Sequence, residues 1–273
     1  MRSDDTTAAL TLKGVTFSYP HAVVLAGIDL TVPAGSYCGI VGPNGSGKTT
    51  LAYLIAGIHL PASGTIDTHG LRVGLVLSNP ANQIVSLVVE EDIAFGPENM
   101  GLPGDQIRTR IDGALKVIHC EHLRNALTST LSGGQLAKIA YAGQLALDVD
   151  IMVLDEGTVM LDPDSRSSLL GPIRELNADL HKTVIHITHR LEDLMAADRV
   201  LVMEEGTISL TATSALGLAC MISREGTPGI EAGPELLYRC FLRERGIDGE
   251  DLRLSTAMRS EERRVGKECR SRW

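Results

Sequence analysis

Gly42-Pro43-Asn44-Gly45-Ser46-Gly47-Lys48-Thr49 fits the pattern GxxxxGK[ST]. It follows a short apolar run, CGIV (38–41), and precedes LAYLIAGIHL (51–60), which is apolar at helical spacing. Glycines let successive backbone N–H groups turn inward as a nest for anions, and a helix beginning there adds partial positive charge. In such a loop Lys48 reaches the outer phosphates and Thr49 offers its hydroxyl to Mg²⁺. The plain alternative is a glycine-rich turn between strand and helix. The conjunction of strand, full pattern and helix decides against it. The segment predicts a nucleoside triphosphate site built from Gly42, Asn44, Gly45, Ser46, Gly47, Lys48, Thr49 and Thr50.

A second stretch supports the first. Ile151-Met152-Val153-Leu154-Asp155-Glu156 is an apolar run ending in two acids. A buried strand in an open α/β sheet delivers its C-terminal side chains to the edge where a phosphate loop lies. Asp155 would then hold Mg²⁺, and Glu156 would orient or deprotonate an attacking water, because phosphoryl transfer is mostly positioning and charge stabilisation. Two acids after a strand are often only a solvated turn, and the upstream loop is what makes the functional reading the stronger one.

Outward from these stretches, the chain alternates strand-like and helical patterns. LTLKGVTFSY, VVLAGIDLTV and YCGIVG read as strands separated by turns, and strand-like pieces return between Gly64 and Leu77. Residues 86–147 are mostly helical in pattern, with breaks expected at Gly96-Pro97 and at 101–104. IMVLD and TVIHITH are buried-strand runs, each followed by a loop and a helical segment. The alternation predicts a mostly parallel sheet with helices on both faces. The block of about 84–147 reads as a helical lobe inserted into it, and 211–258 as a less patterned extension of helix and loop. No internal repeat is present, so there is one nucleotide-binding half.

Composition narrows the functional classes. The 273 residues are 44% hydrophobic and 22% charged, which suits a globular protein and argues against a disordered chain or a coiled-coil rod. Aromatics are only 3% and the formal charge is −9, so neither a base-stacking platform nor a phosphate-backbone binder is expected, and nucleic acid is not a predicted partner. Five cysteines without CxxC pairing fit a reduced compartment. No run reads as a membrane-spanning helix, and MRSDDTT is acidic where a signal peptide needs apolar residues, so an intracellular chain is expected. The last fifteen residues, RSEERRVGKECRSRW (259–273), break the composition and read as a translated sequencing adapter rather than a biological tail. Setting aside their six basic and three acidic residues makes the charge −12 and implies that the natural C-terminus lies elsewhere.

Leu131-Ser132-Gly133-Gly134-Gln135 precedes another helical run, AKIAYAGQLAL. It is a second helix start with glycine N–H groups and a serine hydroxyl, suited to a γ-phosphate. LSGGQ between a phosphate loop and a strand ending in Asp-Glu resembles the ATP-binding cassette (ABC) ATPases over roughly residues 10–210. The resemblance implies an α/β P-loop NTPase core within 8–210, with an N-terminal antiparallel β subdomain and the inserted helical subdomain. It also implies a head-to-tail dimer in which Ser132, Gly133, Gly134 and Gln135 meet the ATP held by the other subunit. Tyr19 stands where an aromatic stacks on adenine, Leu161-Asp162 where a loop communicates across the dimer, and His189, ending TVIHITH, where a switch histidine contacts the γ-phosphate. His186, inside that strand, is read as packing.

The segment 76–99, with Asn79-Pro80-Ala81-Asn82-Gln83, Glu90-Glu91-Asp92, Phe95-Gly96 and Glu98-Asn99, is similar to the ATPases of energy-coupling factor importers, including the cobalt type. Those work in pairs under a transmembrane coupling protein that holds a small substrate-capturing membrane protein. The resemblance therefore implies a homo- or heterodimeric ATPase on the cytoplasmic face of the membrane, using ATP and Mg²⁺ to drive uptake of a vitamin or transition-metal ion. Three departures stand out. Ser78 takes the place of a glutamine that touches Mg²⁺, Gly157, Val159 and Met160 that of a proline and small residues after Asp155-Glu156, and Leu136-Ala137-Lys138 that of a more polar, arginine-bearing run. They keep open a degenerate regulatory cassette that binds ATP without turnover. A soluble ABC ATPase acting on nucleic acid or ribosomes is disfavoured by the acidic core and the lack of a coiled-coil insert.

Overall fold

The computed structural model describes residues 7–157, 161, 163–225, 230 and 232. The chain opens with a long hairpin, β1 (Ala8–Tyr19) and β2 (Ala22–Pro33), followed by β3 (Tyr37–Val41), α1 (Lys48–Ile55), β4 (Ser63–Asp67) and β5 (Val73–Val76). Three helices come next: α2 (Val89–Asn99), α3 (Gly104–Val117) and α4 (Gly133–Ala146). Then follow β6 (Ile151–Asp155), α5 (Pro163–Leu180), β7 (Thr183–Ile187), β8 (Arg199–Glu204), β9 (Thr207–Ala212) and α6 (Ala215–Glu225).

The strands form two sheets. An antiparallel sheet has the order β2-β1-β4, and a larger one has the order β5-β6-β7-β3-β8-β9. In the larger sheet β5, β6, β7, β3 and β8 run parallel, and β9 is antiparallel to β8. The central strands are apolar at nearly every position because both of their faces are covered. Side chains alternate between the faces. Tyr37, Val41, Leu154, Val184 and Val202 join the core under α2–α6, while Cys38, Ile40, Val153, Ile185 and Leu201 join the core shared with α1 and the antiparallel sheet.

β5 and β6 are direct neighbours, paired Val73↔Ile151 through Val76↔Leu154. Residues 77–150 therefore leave the sheet and re-enter it one strand over, and α2, α3 and α4 are built from this excursion. α4 packs on both of its companions.

Three local details differ from the sequence reading. The expected break at Gly96-Pro97 is absent, since α2 runs through Pro97. Proline there falls in the last turn, and the helix closes just beyond it with Met100 N–H on Gly96 C=O (3.1 Å) and Gly101 N–H on Glu98 C=O (2.8 Å). Gly96 serves spacing instead, because an added Cβ would lie 2.7 Å from Leu147 Cδ2. The strand TVIHITH ends at Ile187, leaving His189 in the following loop. Finally, Thr207–Ala212 forms an edge strand that the parallel alternation does not foresee. Its turn, Glu205-Gly206, takes positive φ at both residues (47° and 76°), as tight hairpins require. Within 211–258 the structure describes α6, Ile230 and Ala232; the rest of that segment and the segment 259–273 lie outside the described residues.

His186 is fully buried, as its packing role requires, and its Nδ1 lies 2.8 Å from the Tyr37 hydroxyl. Burial pushes its pKa down to about 4. Between pH 6.5 and 4 the unfolded chain thus takes up a proton that the folded chain refuses, and this site lowers stability as pH falls, by up to about 1.4 kcal/mol per unit. The Asp155 carboxyl, pushed up by burial to about 6, acts with the opposite sign in an overlapping window. Comparison of the wild type with His186→Gln at each pH cancels that contribution. Urea unfolding should show the advantage of the wild type over the variant shrinking by about 2 kcal/mol between pH 7 and pH 4.5.

Candidate nucleotide site

The order β6-β7-β3 brings the C-terminal ends of three parallel strands side by side. The loop after β3 turns sharply at Gly42, whose φ is 155°. A Cβ there would sit 2.1 Å from the Met203 carbonyl oxygen of β8, so only glycine lets the loop pass. The loop is closed by Ser46 N–H on Pro43 C=O (3.2 Å) and braced from outside by Gly206 N–H on Ser46 C=O (3.2 Å). Gly206 in turn accepts from Ala26 N–H of β2 (3.0 Å), so the β8–β9 turn ties the phosphate loop to the antiparallel sheet. That brace escapes the motif reading, although Glu205-Gly206 between two apolar runs is its signal.

Lys48 begins α1 and is buried, its Nζ donating to the Gly42 and Pro43 carbonyls, each at 2.9 Å. Burial pulls its pKa down while the charges of Glu156 and Asp155 hold it up. Thr49 Oγ1 donates to Asp155 Oδ1 (3.1 Å). Asp155 is fully buried, and its Oδ2 has no partner among the described residues. Burial and, to a smaller extent, the Glu156 charge raise its pKa, against the Thr49 bond and Lys48. A carboxylate with one unpartnered oxygen, beside a threonine hydroxyl, is an all-oxygen donor set that suits Mg²⁺.

Glu156 follows at φ 51°, a left-handed backbone that is costly for a residue with a side chain. Its N–H bonds to the Ile187 carbonyl (3.0 Å), and its Oε1 lies 4.0 Å from His189 Nδ1, both side chains about one quarter exposed. Gly157 packs under this turn, where an added Cβ would be 3.4 Å from the buried Tyr141 hydroxyl of α4. That is ordinary contact distance, so nothing in the structure explains glycine rather than proline at 157.

The structure brings Lys48, Thr49, Asp155, Glu156 and His189 together. Ser78 is exposed beyond β5, and no hydrogen bond joins its side chain to Asp155 or Thr49. The neighbouring Gln83 is pinned instead to its own strand, accepting from Leu77 N–H and donating to the Leu75 carbonyl, both at 2.8 Å. Ser132 to Gln135 start α4 with a capping box: Gln135 N–H donates to Ser132 Oγ (3.3 Å) and Ser132 N–H to Gln135 Oε1 (2.9 Å). The serine keeps its own proton to donate elsewhere. No hydrogen bond among the described residues joins this motif to the phosphate loop of the same chain. Tyr19 ends β1, 44% exposed, with its ring edge-on to Phe17. Leu161 is buried and Asp162 lies outside the described residues.

A phosphate loop, an Asp-Glu strand end and an LSGGQ helix start on this sheet define a P-loop ATP-binding cassette. A family profile described as ABC transporter matches residues 25–159. The energy-coupling factor transporter ATP-binding protein EcfA1 of Symbiobacterium thermophilum is 42% identical over 223 residues, 74% of this chain and 78% of that protein. The cobalt import ATP-binding protein CbiO of Syntrophus aciditrophicus is 39% identical over 242 residues, covering 82% and 84%. Among solved structures, cbiO1 of Clostridium perfringens, part of the ABC transporter complex cbiONQ, superposes with a TM-score of 0.71 at 30% identity, covering 87% of this chain and 99% of that one. A dimeric ATP-binding cassette in a post-hydrolysis state with ADP and Pi gives 0.66 at 25% identity over 75% and 98%. The chain belongs to the ABC transporter ATPases, in the family of energy-coupling factor and cobalt-type ATP-binding proteins.

Gly42→Ala should force the Met203 carbonyl aside. Expected outcomes are a loss of about 1–3 kcal/mol in unfolding free energy and weakened ATP binding, read by denaturant titration and calorimetry.

Proposed function

We propose that this chain hydrolyses ATP as one of a pair of cassettes driving an importer of the energy-coupling factor type. One observation carries the reading: Lys48, the Thr49–Asp155 pair, Glu156 and His189 converge at the end of three parallel strands. The cassette is assigned to 8–210, with about 84–147 as its helical subdomain. Gly42, Asn44, Gly45, Ser46, Gly47 and Thr50 cradle the phosphates with backbone N–H groups. Lys48 turns from the Gly42 and Pro43 carbonyls that it holds to the phosphate oxygens, so its charge stays partnered when the ligand enters. Thr49 and Asp155 would hold Mg²⁺, whose charge offsets that of the phosphates when it is bound. Glu156 orients or deprotonates the attacking water, and His189, beside it, faces the γ-phosphate. Tyr19 stacks on the base.

Ser132, Gly133, Gly134 and Gln135 serve the nucleotide of the second subunit, which is supported by their place at a helix start, with Ser132 and Gly133 exposed, and by the dimeric relative. Docking to a membrane coupling protein is supported by an apolar surface on the helical lobe, where Val85, Leu87 and Leu127 are 61, 76 and 51% exposed. Leu87 and Leu127 are held together by Thr128 N–H on the Leu87 carbonyl and by the Val88–Leu127 bridge. No helix among the described residues is long and apolar enough to cross a membrane. We place the chain on the cytoplasmic face, under a coupling protein that holds a substrate-capturing membrane protein for a vitamin or transition-metal ion.

The exposed position of Ser78 favours one second reading, a cassette that binds ATP and regulates a partner. Glu156→Gln separates the two. Under the enzymatic reading Mg²⁺-dependent ATP turnover falls about 100-fold or more in the variant while ATP binding persists. A wild type that binds ATP but shows no single-turnover hydrolysis supports the regulatory reading. For the docking surface, Leu87→Glu should release the chain from membranes containing the coupling protein and leave ATP binding unchanged, as read by flotation.

A further inference from the structure

We infer that His59 is a positioning residue for the nucleotide base, acting through Tyr19 as the hub of a four-ring cluster. The inference rests on the reading that Tyr19 stacks on the base. α1 ends at Ile55, and Gly57 (φ 71°) turns the chain so that Ile58 and His59 N–H groups both reach the Tyr53 carbonyl, at 2.9 and 3.3 Å. This turn directs His59 back onto β1. There its ring stacks on Phe17 (centroids 5.3 Å apart, planes at 13°) and meets Tyr53 of α1 edge-on (5.6 Å, 69°). It also meets Tyr19 edge-on (6.1 Å, 87°), with Nε2 3.5 Å from the Tyr19 hydroxyl. Phe17 completes the set, 5.1 Å from Tyr19 at 87°.

Phe17 and Tyr19 are two apart on β1 and so share a face of the strand. The His59 segment is lashed to that strand by Ala62 N–H on Thr16 C=O (2.8 Å) and by Thr16 Oγ1 and Ser63 Oγ at 2.7 Å. In a chain whose aromatic content is only 3%, three of its Phe and Tyr rings surround this one imidazole. Tyr19 is nearly half exposed, so no surrounding core fixes its rotamer. The perpendicular ring contacts with Phe17 and His59 do so, while the exposed part of the ring stays open to a planar ligand. A pre-set platform binds more tightly than one that must be ordered on binding.

The test measures binding by calorimetry in the full chain carrying Glu156→Gln, so that ATP persists. Tyr19→Ala should weaken ATP about tenfold, His59→Ala about fivefold, and His59→Phe much less, because a ring still packs there. Adding His59→Ala to Tyr19→Ala should cost nothing more. Binding of inorganic tripolyphosphate, which has no base, should be the same in every variant. Unchanged ATP affinity in His59→Ala beside weakened affinity in Tyr19→Ala overturns the role of His59. An unchanged Tyr19→Ala overturns the base-stacking reading itself, and the proposal with it. Loss of tripolyphosphate binding in His59→Ala overturns it too, because the effect would then be collapse of the loop.

Discussion

The site depends on keeping one ammonium and two carboxylates close together where little water reaches them. Lys48 and Asp155 are both buried, and burial alone drives each toward its neutral form. What opposes this is arrangement: the Asp155 and Glu156 charges act on Lys48, the Thr49 hydroxyl bonds Asp155, and two carbonyls accept from the lysine. The parallel register of β3, β6 and β7 makes the arrangement possible by ending the three strands at one level. A slip of one residue in β6 would turn Asp155 onto the opposite face and remove the carboxylate from the loop.

Much of this was legible in the residues. A phosphate loop is a local structure, and its glycines, lysine and threonine act within a few positions of one another, so GPNGSGKT and the strand before it define each other. The same holds for IMVLDE, where an unbroken apolar run signals a strand buried on both faces. The capping box at Ser132 and Gln135 is likewise written in the LSGGQ motif itself, which is both a ligand-facing loop and a helix start.

What the residues alone did not disclose was long-range. The Met203 carbonyl against Gly42, the Gly206 brace and the Tyr141 hydroxyl beneath Gly157 join positions far apart in the chain, and no spacing rule connects them. Pro97 misled for the converse reason. A proline signals a helix break by local rules, but one placed in a final turn gives up little, and the packing of α2 on its neighbours carries the helix through. The antiparallel β9 was hidden behind a sheet whose every other strand runs the same way.

The insertion of the helical segment between adjacent strands has a mechanical meaning. Both ends of the lobe are anchored on neighbouring strands of the sheet, β5 and β6, so it is attached along a narrow base. At its base Asp148 lies within ion-pair reach of Arg72, Arg110 and Lys182, a partly exposed bundle that salt can loosen. From this base the chain enters β6 at Ile151, and the other end of that strand carries Asp155, with Glu156 next in the chain. The helical lobe and the carboxylate end of the site are thereby joined through a single, fully buried strand of five residues.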